Sequence, residues 1–222
     1  MHVIEQREAT VKIGRSKIVA QDGFFFAQTL LPTRHGDFDL RVYVDDHGKE
    51  HLAISVGSLK QAANLPLRIH SECLTGEVLG SLKCDCKQQL DAALEYLQRA
   101  GQGLVLYLRQ EGRGIGLGNK IRAYALQEQG HDTVDANSLL GLPDDARTYE
   151  AAALMLRRLE VRSVRLMTNN PAKIEALEQF KIHVAGRIPL VTPVSQQAAL
   201  YLETKRVRMG HLIEENELAA CL

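Results

Sequence analysis

No stretch of this sequence stays apolar for the roughly 18 residues that a membrane-spanning helix requires, so no membrane partner is expected. The first residues, Met1-His-Val-Ile-Glu-Gln-Arg-Glu8, have no apolar core of the kind a secretion signal carries. Charge of neither sign is in excess: 27 basic residues face 27 acidic ones. That balance argues against binding a nucleic-acid polymer, which usually calls for a basic surplus, but it leaves room for a local basic pocket and a small anion. Repeats, low-complexity tracts and an obvious linker are also missing. What remains is an ordinary globular composition, 45% hydrophobic and 24% charged over 222 residues, long enough for a substantial core. One unit, residues 1–222, with a β-rich N-terminal part is expected.

Cysteine is scarce, and its placement is informative. Cys73, Cys84 and Cys86 fall within 14 residues, and the fourth, Cys221, lies at the far end. A lone free cysteine behaves as a small buried hydrophobe, but three gathered this closely read as a metal site. A disulfide fits less well, because Cys84 and Cys86 are separated only by Asp85 and an odd trio leaves one thiol unpaired. Structural zinc takes four protein ligands, whereas catalytic zinc takes three and keeps a position for water. The trio therefore suggests an open, hydrolytic site. Cys221 or His70 would instead complete a closed, structural one. A thiolate metal site in a chain so poor in cysteine also points to a reducing cytoplasm.

Hydrophobic periodicity outlines the fold. Alternation of period two at residues 11–13, 40–44 and 52–56, with Asp45-Asp-His-Gly48 as turn residues, predicts an antiparallel hairpin region within residues 1–60. Leu90, Leu94 and Leu97 predict a helix over 88–100 that stops at Gly101. Further helices are predicted over 119–129, 149–160, 171–180 and 196–209, and strands over 104–108, 163–167 and 182–184. Strand alternating with helix implies an α/β architecture, a mixed sheet with flanking helices and some parallel pairing.

Four segments carry candidate chemistry. Glu111-Gly-Arg-Gly-Ile-Gly-Leu-Gly118 joins a predicted strand to a predicted helix, and alternate glycines let backbone approach a ligand. It matches neither the dinucleotide fingerprint nor the P-loop, so it is either a phosphate loop of another design or a flexible connection. Arg109, Arg113, Lys120 and Arg122 crowd it, which favours an anion. In Thr168-Asn-Asn-Pro171-Ala-Lys173, Asn170 suits an N-cap and Pro171 the first helical position. Lys173 then sits in the first turn, where the helix dipole disfavours a cation by about 0.3–1 kcal/mol unless a bound anion reverses the penalty. Arg68-Ile-His-Ser-Glu72 runs directly into Cys73; its His70-x-Glu72 pattern lacks the downstream P-C-x-x-C of a zinc deaminase. Asp145-Ala-Arg147 reads as a loop with a surface ion pair, and Tyr124 as a core tyrosine on the Ile121/Ala125 face of its helix.

Together the segments RIHSECLTGEVLGSLKCDC, YLRQEGRGIGLGNKIRAYALQEQGHDTVDAN and RLMTNNPAKIEAL resemble GTP cyclohydrolase II, from about Leu31 to Leu212, with residues 1–30 as an N-terminal extension. The resemblance implies an enzyme that opens the imidazole ring of GTP at the head of riboflavin biosynthesis. Formate, pyrophosphate and a diaminopyrimidinone ribosylamine phosphate would be released. By motif match Cys73, Cys84 and Cys86 hold Zn²⁺. The GTP-contacting positions are Arg68, Ile69, His70, Ser71, Glu72, Gln89, Glu111, Gly112, Arg113, Thr133, Thr168 and Lys173. Asp145 matches a proton acceptor, Arg147 a nucleophile at the α-phosphate and Tyr124 a tyrosine needed for ring hydrolysis. Mg²⁺ would accompany the triphosphate, and a homodimer is implied. A guanidinium stays protonated and offers no ready lone pair, so charge stabilisation is the easier role for Arg147. The chain departs from the family at Lys87, where glycine is usual, and over 191–200, which lacks an asparagine- and histidine-containing run. Two alternatives stand beside this reading: a paralogue that retains the formyl group or serves another pathway, and a non-catalytic nucleotide-binding module with structural zinc closed by Cys221.

Overall fold

The computed structural model describes residues 24–190. Its seven strands form one mixed sheet. They are β1 (Phe25–Thr33), β2 (Gly36–Val44), β3 (Glu50–Val56), β4 (Leu65–Ser71), β5 (Gly103–Leu108), β6 (Val164–Met167) and β7 (Val184–Ile188), in spatial order β1-β2-β3-β5-β4-β6-β7. The first three and β5 pair antiparallel, and β5, β4, β6 and β7 pair parallel. The hairpin between β2 and β3 turns where the sequence predicts. Asp45 Oδ1 accepts the His47 and Lys49 N–H groups at 2.9 and 2.8 Å, and Gly48 supplies the left-handed φ of 73°.

Helices cover the parallel half. They are α1 (Leu74–Glu77), α2 (Cys86–Ala100), α3 (Leu117–Gln127), α4 (Thr133–Leu139), α5 (Glu150–Arg158) and α6 (Ala172–Gln179). Ala93 and Leu97 of α2 pack with Phe38, Val105, Met167 and Ile188 on one face of the sheet. Met155 and Leu156 of α5 and Leu177 of α6 pack with Leu67, Ile69, Leu104, Leu106 and Leu166 on the other. Side chains alternate along a strand, so with Leu67 and Ile69 committed to the α5 face, Arg68 and His70 of β4 are directed to the α2 face. The chain leaves β4 through α2 to reach β5 on one side, while β6 lies on the other. Such a reversal opens a crevice at the carboxyl ends of the strands, and Cys73, Glu111 and Thr168 follow those ends within three residues.

Differences from the sequence expectation are local. The helix predicted over 88–100 begins at Cys86, and the strand predicted over 182–184 runs Val184–Ile188, because pairing with β6 starts only at Val164 opposite Val184. Strand β4 and helix α4 carry no prediction; β4 mixes Pro66, Arg68 and His70 with its apolar positions, and α4 sits in a polar stretch. Strand β1 takes in residues 25–30, assigned above to an extension. The elements predicted at 11–13 and 196–209, the altered segment 191–200 and Cys221 lie outside the described residues.

Candidate active site

Backbone geometry gathers the three thiols. Strand β4 delivers Cys73, the short α1 turns the chain back, and Cys84 and Cys86 return at the start of α2. Cys73 Sγ lies 3.6 Å from Cys84 Sγ, and all three sulfurs lie within 4.8 Å of one another. Metal–sulfur bonds of about 2.3 Å at tetrahedral angles place sulfurs about 3.8 Å apart, so the trio fits such an ion. Gly76 makes the approach feasible: a Cβ there would stand 2.8 Å from Cys84 Sγ and 3.2 Å from Cys73 Sγ. His70 and the carboxylates do not join this group among the described residues. Hydrogen bonds from Cys84 and Cys86, and then the Lys120 ammonium 3.1 Å away, hold the Cys73 thiol far below its ordinary range. Sharing that proton with Cys73 pushes Cys84 and Cys86 up. Three adjacent thiols that resist joint ionisation are a donor set that a divalent cation completes.

The thiols form one wall of a cleft also lined by Arg68, His70, Ser71, Glu72, Gln89, Glu111, Gly112, Arg113, Tyr124, Arg147, Thr168 and Lys173. Arg68 is buried; it donates to Met167 O at 3.0 Å and to Gln89 Oε1 at 2.5 Å, and desolvation brings its pKa down to about 10. Gln89 in turn donates to Asp85, the residue between two of the cysteines. Ile69 does not face the cleft; its side chain is in the core, and its carbonyl accepts Lys173 Nζ at 2.9 Å. Ser71 Oγ accepts from Gln110 at 3.1 Å, and Glu72 pairs with Arg109 at 3.0 Å.

The glycine-rich segment is a tight turn rather than a flexible connection. Gly112 and Arg113 both take left-handed φ, 62° and 58°, which for an arginine signals a conformation held by its surroundings. Glu111 anchors it, accepting from Leu74 N at 2.6 Å, Gly112 N at 2.9 Å and Lys120 Nζ at 2.8 Å. Burial alone would lower the Lys120 pKa, but Glu111 and Cys73 outweigh it and hold the ammonium charged. The turn also docks the Asp145–Arg147 loop: Arg113 O accepts Ala146 N–H at 2.9 Å, and Gly114 leaves no space for a Cβ beside Ala146 O. The ion pair is at the surface on its Asp145 side, as expected, and reaches the cleft through Arg147. Arg147 lines it and donates Nε to Asp145 Oδ1 at 2.9 Å. Burial would raise the Asp145 carboxyl, but the Arg147 hydrogen bonds and charge prevail and depress it.

Tyr124 is not a core residue; it is half-buried and lines the cleft, with Lys83 Nζ 4.7 Å from its ring centroid. Thr168 and Lys173 are buried, and Thr168 Oγ1 accepts Asn170 N–H at 3.0 Å. Asn170 caps α6 as expected, its Oδ1 accepting Ala172 N–H at 3.0 Å. Thr133 begins α4, but its side chain lies outside what is described. Lys87 does not line the cleft: its ammonium runs along α2 to Asp91 at 2.9 Å, beside Arg34.

In the sequence Lys120 stands out only as one of a basic crowd and Glu77 not at all; the available signal for Lys120 is a lysine in the first turn of a helix that follows a glycine turn. Five basic side chains and two carboxylates line the cleft, an arrangement that favours a multiply charged anion beside a metal.

A family model described as GTP cyclohydrolase II matches residues 25–189. The chain is 53% identical over 196 residues to a protein named GTP cyclohydrolase-2 from Acinetobacter baumannii (strain SDF), covering 87% of this chain and 98% of that one. A GTP cyclohydrolase-2 from Picrophilus torridus is 48% identical over 188 residues, 85% of this chain and 98% of the relative. A longer protein named riboflavin biosynthesis protein RibBA, from Salinispora arenicola, is 53% identical over 194 residues, 86% of this chain and 46% of its own length.

Proposed function

Because this chain belongs to the GTP cyclohydrolase II family, we propose that it opens the imidazole ring of GTP in riboflavin biosynthesis. The products are formate, pyrophosphate and a diaminopyrimidinone ribosylamine phosphate. The observation that carries the proposal is the placement of three metal-competent thiols in one wall of a cation-lined cleft at the sheet's switch point. Cys73, Cys84 and Cys86 would hold Zn²⁺, which when bound supplies a Lewis acid and an acidified water for attack at C8 of the purine.

The chain's own residues do the rest. Arg113, Arg147 and Lys173, with Thr168, bind the triphosphate together with Mg²⁺. The cap by Asn170 and the Lys173 bond to Ile69 O fix the α6 end of that site. Asp145 is depressed and held by Arg147, which makes it a weak base and a strong orienter. Arg147 therefore acts by stabilising charge on the α-phosphoryl group as pyrophosphate leaves. Tyr124 bears on the ring-opening half of the reaction from the cleft wall. The cytoplasm is the proposed compartment and a homodimer the proposed state; exposed Val78, Leu79 and Leu82 on the loop before Cys84 support a partner surface.

The test is incubation of zinc-loaded protein with GTP and Mg²⁺, followed by measurement of formate, pyrophosphate and the pyrimidine product. No turnover by folded, zinc-replete protein refutes the proposal. Formate well below one per GTP consumed would favour the formyl-retaining alternative.

A further inference from the structure

His70, a position that the resemblance assigns to GTP contact, sits in a buried cluster with Glu77 and Tyr107, to which the reaction as described gives no part. His70 Nε2 is 2.8 Å from Glu77 Oε1, and Tyr107 Oη donates to Glu77 Oε2 at 2.7 Å. The His70 and Tyr107 rings stack at 5.7 Å. Glu77 ends α1, the turn that begins immediately after Cys73. A carboxylate only accepts hydrogen bonds, so the proton of a neutral His70 is on Nε2 and the lone pair on Nδ1. Burial pushes the His70 pKa down, which keeps the ring neutral. His70 is 2% exposed, it lines the cleft, and its Nδ1 has no hydrogen-bond partner among the described residues. Arg68 Nε, two residues earlier on the same face of β4, is likewise buried and unpartnered there. Buried acceptors are rarely left unpaired, and one in a cleft wall is expected to be satisfied by what fills the cleft.

We propose that Glu77 and Tyr107 are positioning residues that hold His70 as its Nε2–H tautomer, so that Nδ1 accepts a hydrogen bond from an N–H or O–H of the bound nucleotide. This rests on the nucleotide reading above and adds what selects the donor side of the ligand. Were the tautomer reversed, the ring would present a donor to the cleft and leave Glu77 facing a bare lone pair.

The test is ¹⁵N NMR of histidine-labelled, zinc-loaded protein, with His70 assigned by difference against His70→Gln. The expected result is a protonated Nε2 and an unprotonated Nδ1 whose signal moves when a non-hydrolysable GTP analogue is added. Glu77→Gln, whose amide can donate as well as accept, is expected to give mixed tautomers and a KM for GTP raised about tenfold, the loss of one hydrogen bond. Tyr107→Phe, which removes no group from His70 itself, is expected to weaken the Nδ1 response in the same direction. A protonated Nδ1 in the unaltered protein overturns the proposal. So does an Nδ1 signal that stays put at analogue concentrations that saturate binding by calorimetry. Absence of calorimetric binding would instead defeat the nucleotide reading, with the tautomer still read from the spectrum.

Discussion

Replacing Gly76 with alanine should separate metal binding from folding. The added Cβ would lie 2.8 Å from Cys84 Sγ, 3.2 Å from Cys73 Sγ and 3.6 Å from Cys86 Cβ. Ordinary contact begins near 3.4 Å, so the Cys84 sulfur must retreat by about 0.6 Å. Metal–sulfur distances tolerate about 0.2 Å, so the displacement cannot be absorbed with the ion in place. Overpacking of this kind costs about 1–3 kcal/mol, which corresponds to zinc held about 5- to 150-fold more weakly. The metal-free protein should be nearly unaffected, because its sulfurs are free to move and alanine is favoured over glycine in a helix by about 0.5–1 kcal/mol. Competition against a chromophoric chelator measures the first quantity, and thermal unfolding with and without EDTA the second. Gly186→Ala in β7, where a Cβ meets nothing within 4 Å, is the control. Zinc affinity within twofold of the unaltered protein would show that the thiols do not converge as described. Equal destabilisation with and without metal would show that Gly76 serves packing alone.

Cys221→Ser should leave zinc content and turnover unchanged; loss of either would support a closed four-thiolate site. Arg147→Lys should keep a fraction of the activity, since it preserves charge but not the two-pronged contact with Asp145. No phosphate-bearing adduct should be found on Arg147 by mass spectrometry during turnover, and trapping one would establish it as the nucleophile. Stability should fall below about pH 6.5. His51 and His70 are buried with pKa values lowered by desolvation, so below the ordinary value of 6.5 the unfolded chain binds protons that the folded one refuses. Each contributes a loss of up to about 1.4 kcal/mol per pH unit. Denaturant titrations from pH 7.5 to 5 should show that slope, reduced by one histidine's share in His51→Gln.

The helical half of the fold was legible because its signals are local. Leu90, Leu94 and Leu97 repeat at helical spacing, Gly101 takes the left-handed φ of 67° that ends α2, and Asn170 caps α6 through its own side chain. Helix α4 lies in a polar stretch without a clear apolar period, although Asp132 Oδ1 accepts Asp135 N–H at 2.9 Å, a cap with a sequence signature. The convergence of the three thiols was legible from their spacing alone. Arrival of Arg147 at the cleft was not, because it depends on a contact between Arg113 O and Ala146 N across 33 residues of sequence. Nothing in a single sequence reports such a pairing.

Strand β4 is hidden in the sequence for a reason that bears on function. Parallel central strands usually read as unbroken apolar runs, as Leu104-Val-Leu-Tyr-Leu108 nearly does in β5. In β4 the residues directed to the α2 face are Arg68 and His70, both buried, both with pKa values driven down by desolvation. Placing a guanidinium and an imidazole at the centre of a sheet is costly, and two apolar residues there would stabilise the fold and sharpen the pattern. The conflict between pattern and placement falls where the chain leaves β4 for the thiols, and it is offset by specific partners: Met167 O, Gln89 and Glu77. Local rules broken at one strand, with the compensation spread over β6, α2 and α1, mark that strand as the one selected for its chemistry. It carries the cleft's buried donor and acceptor and ends two residues before the first cysteine, so one seven-residue element positions both the polar wall of the cleft and the first of the three thiols.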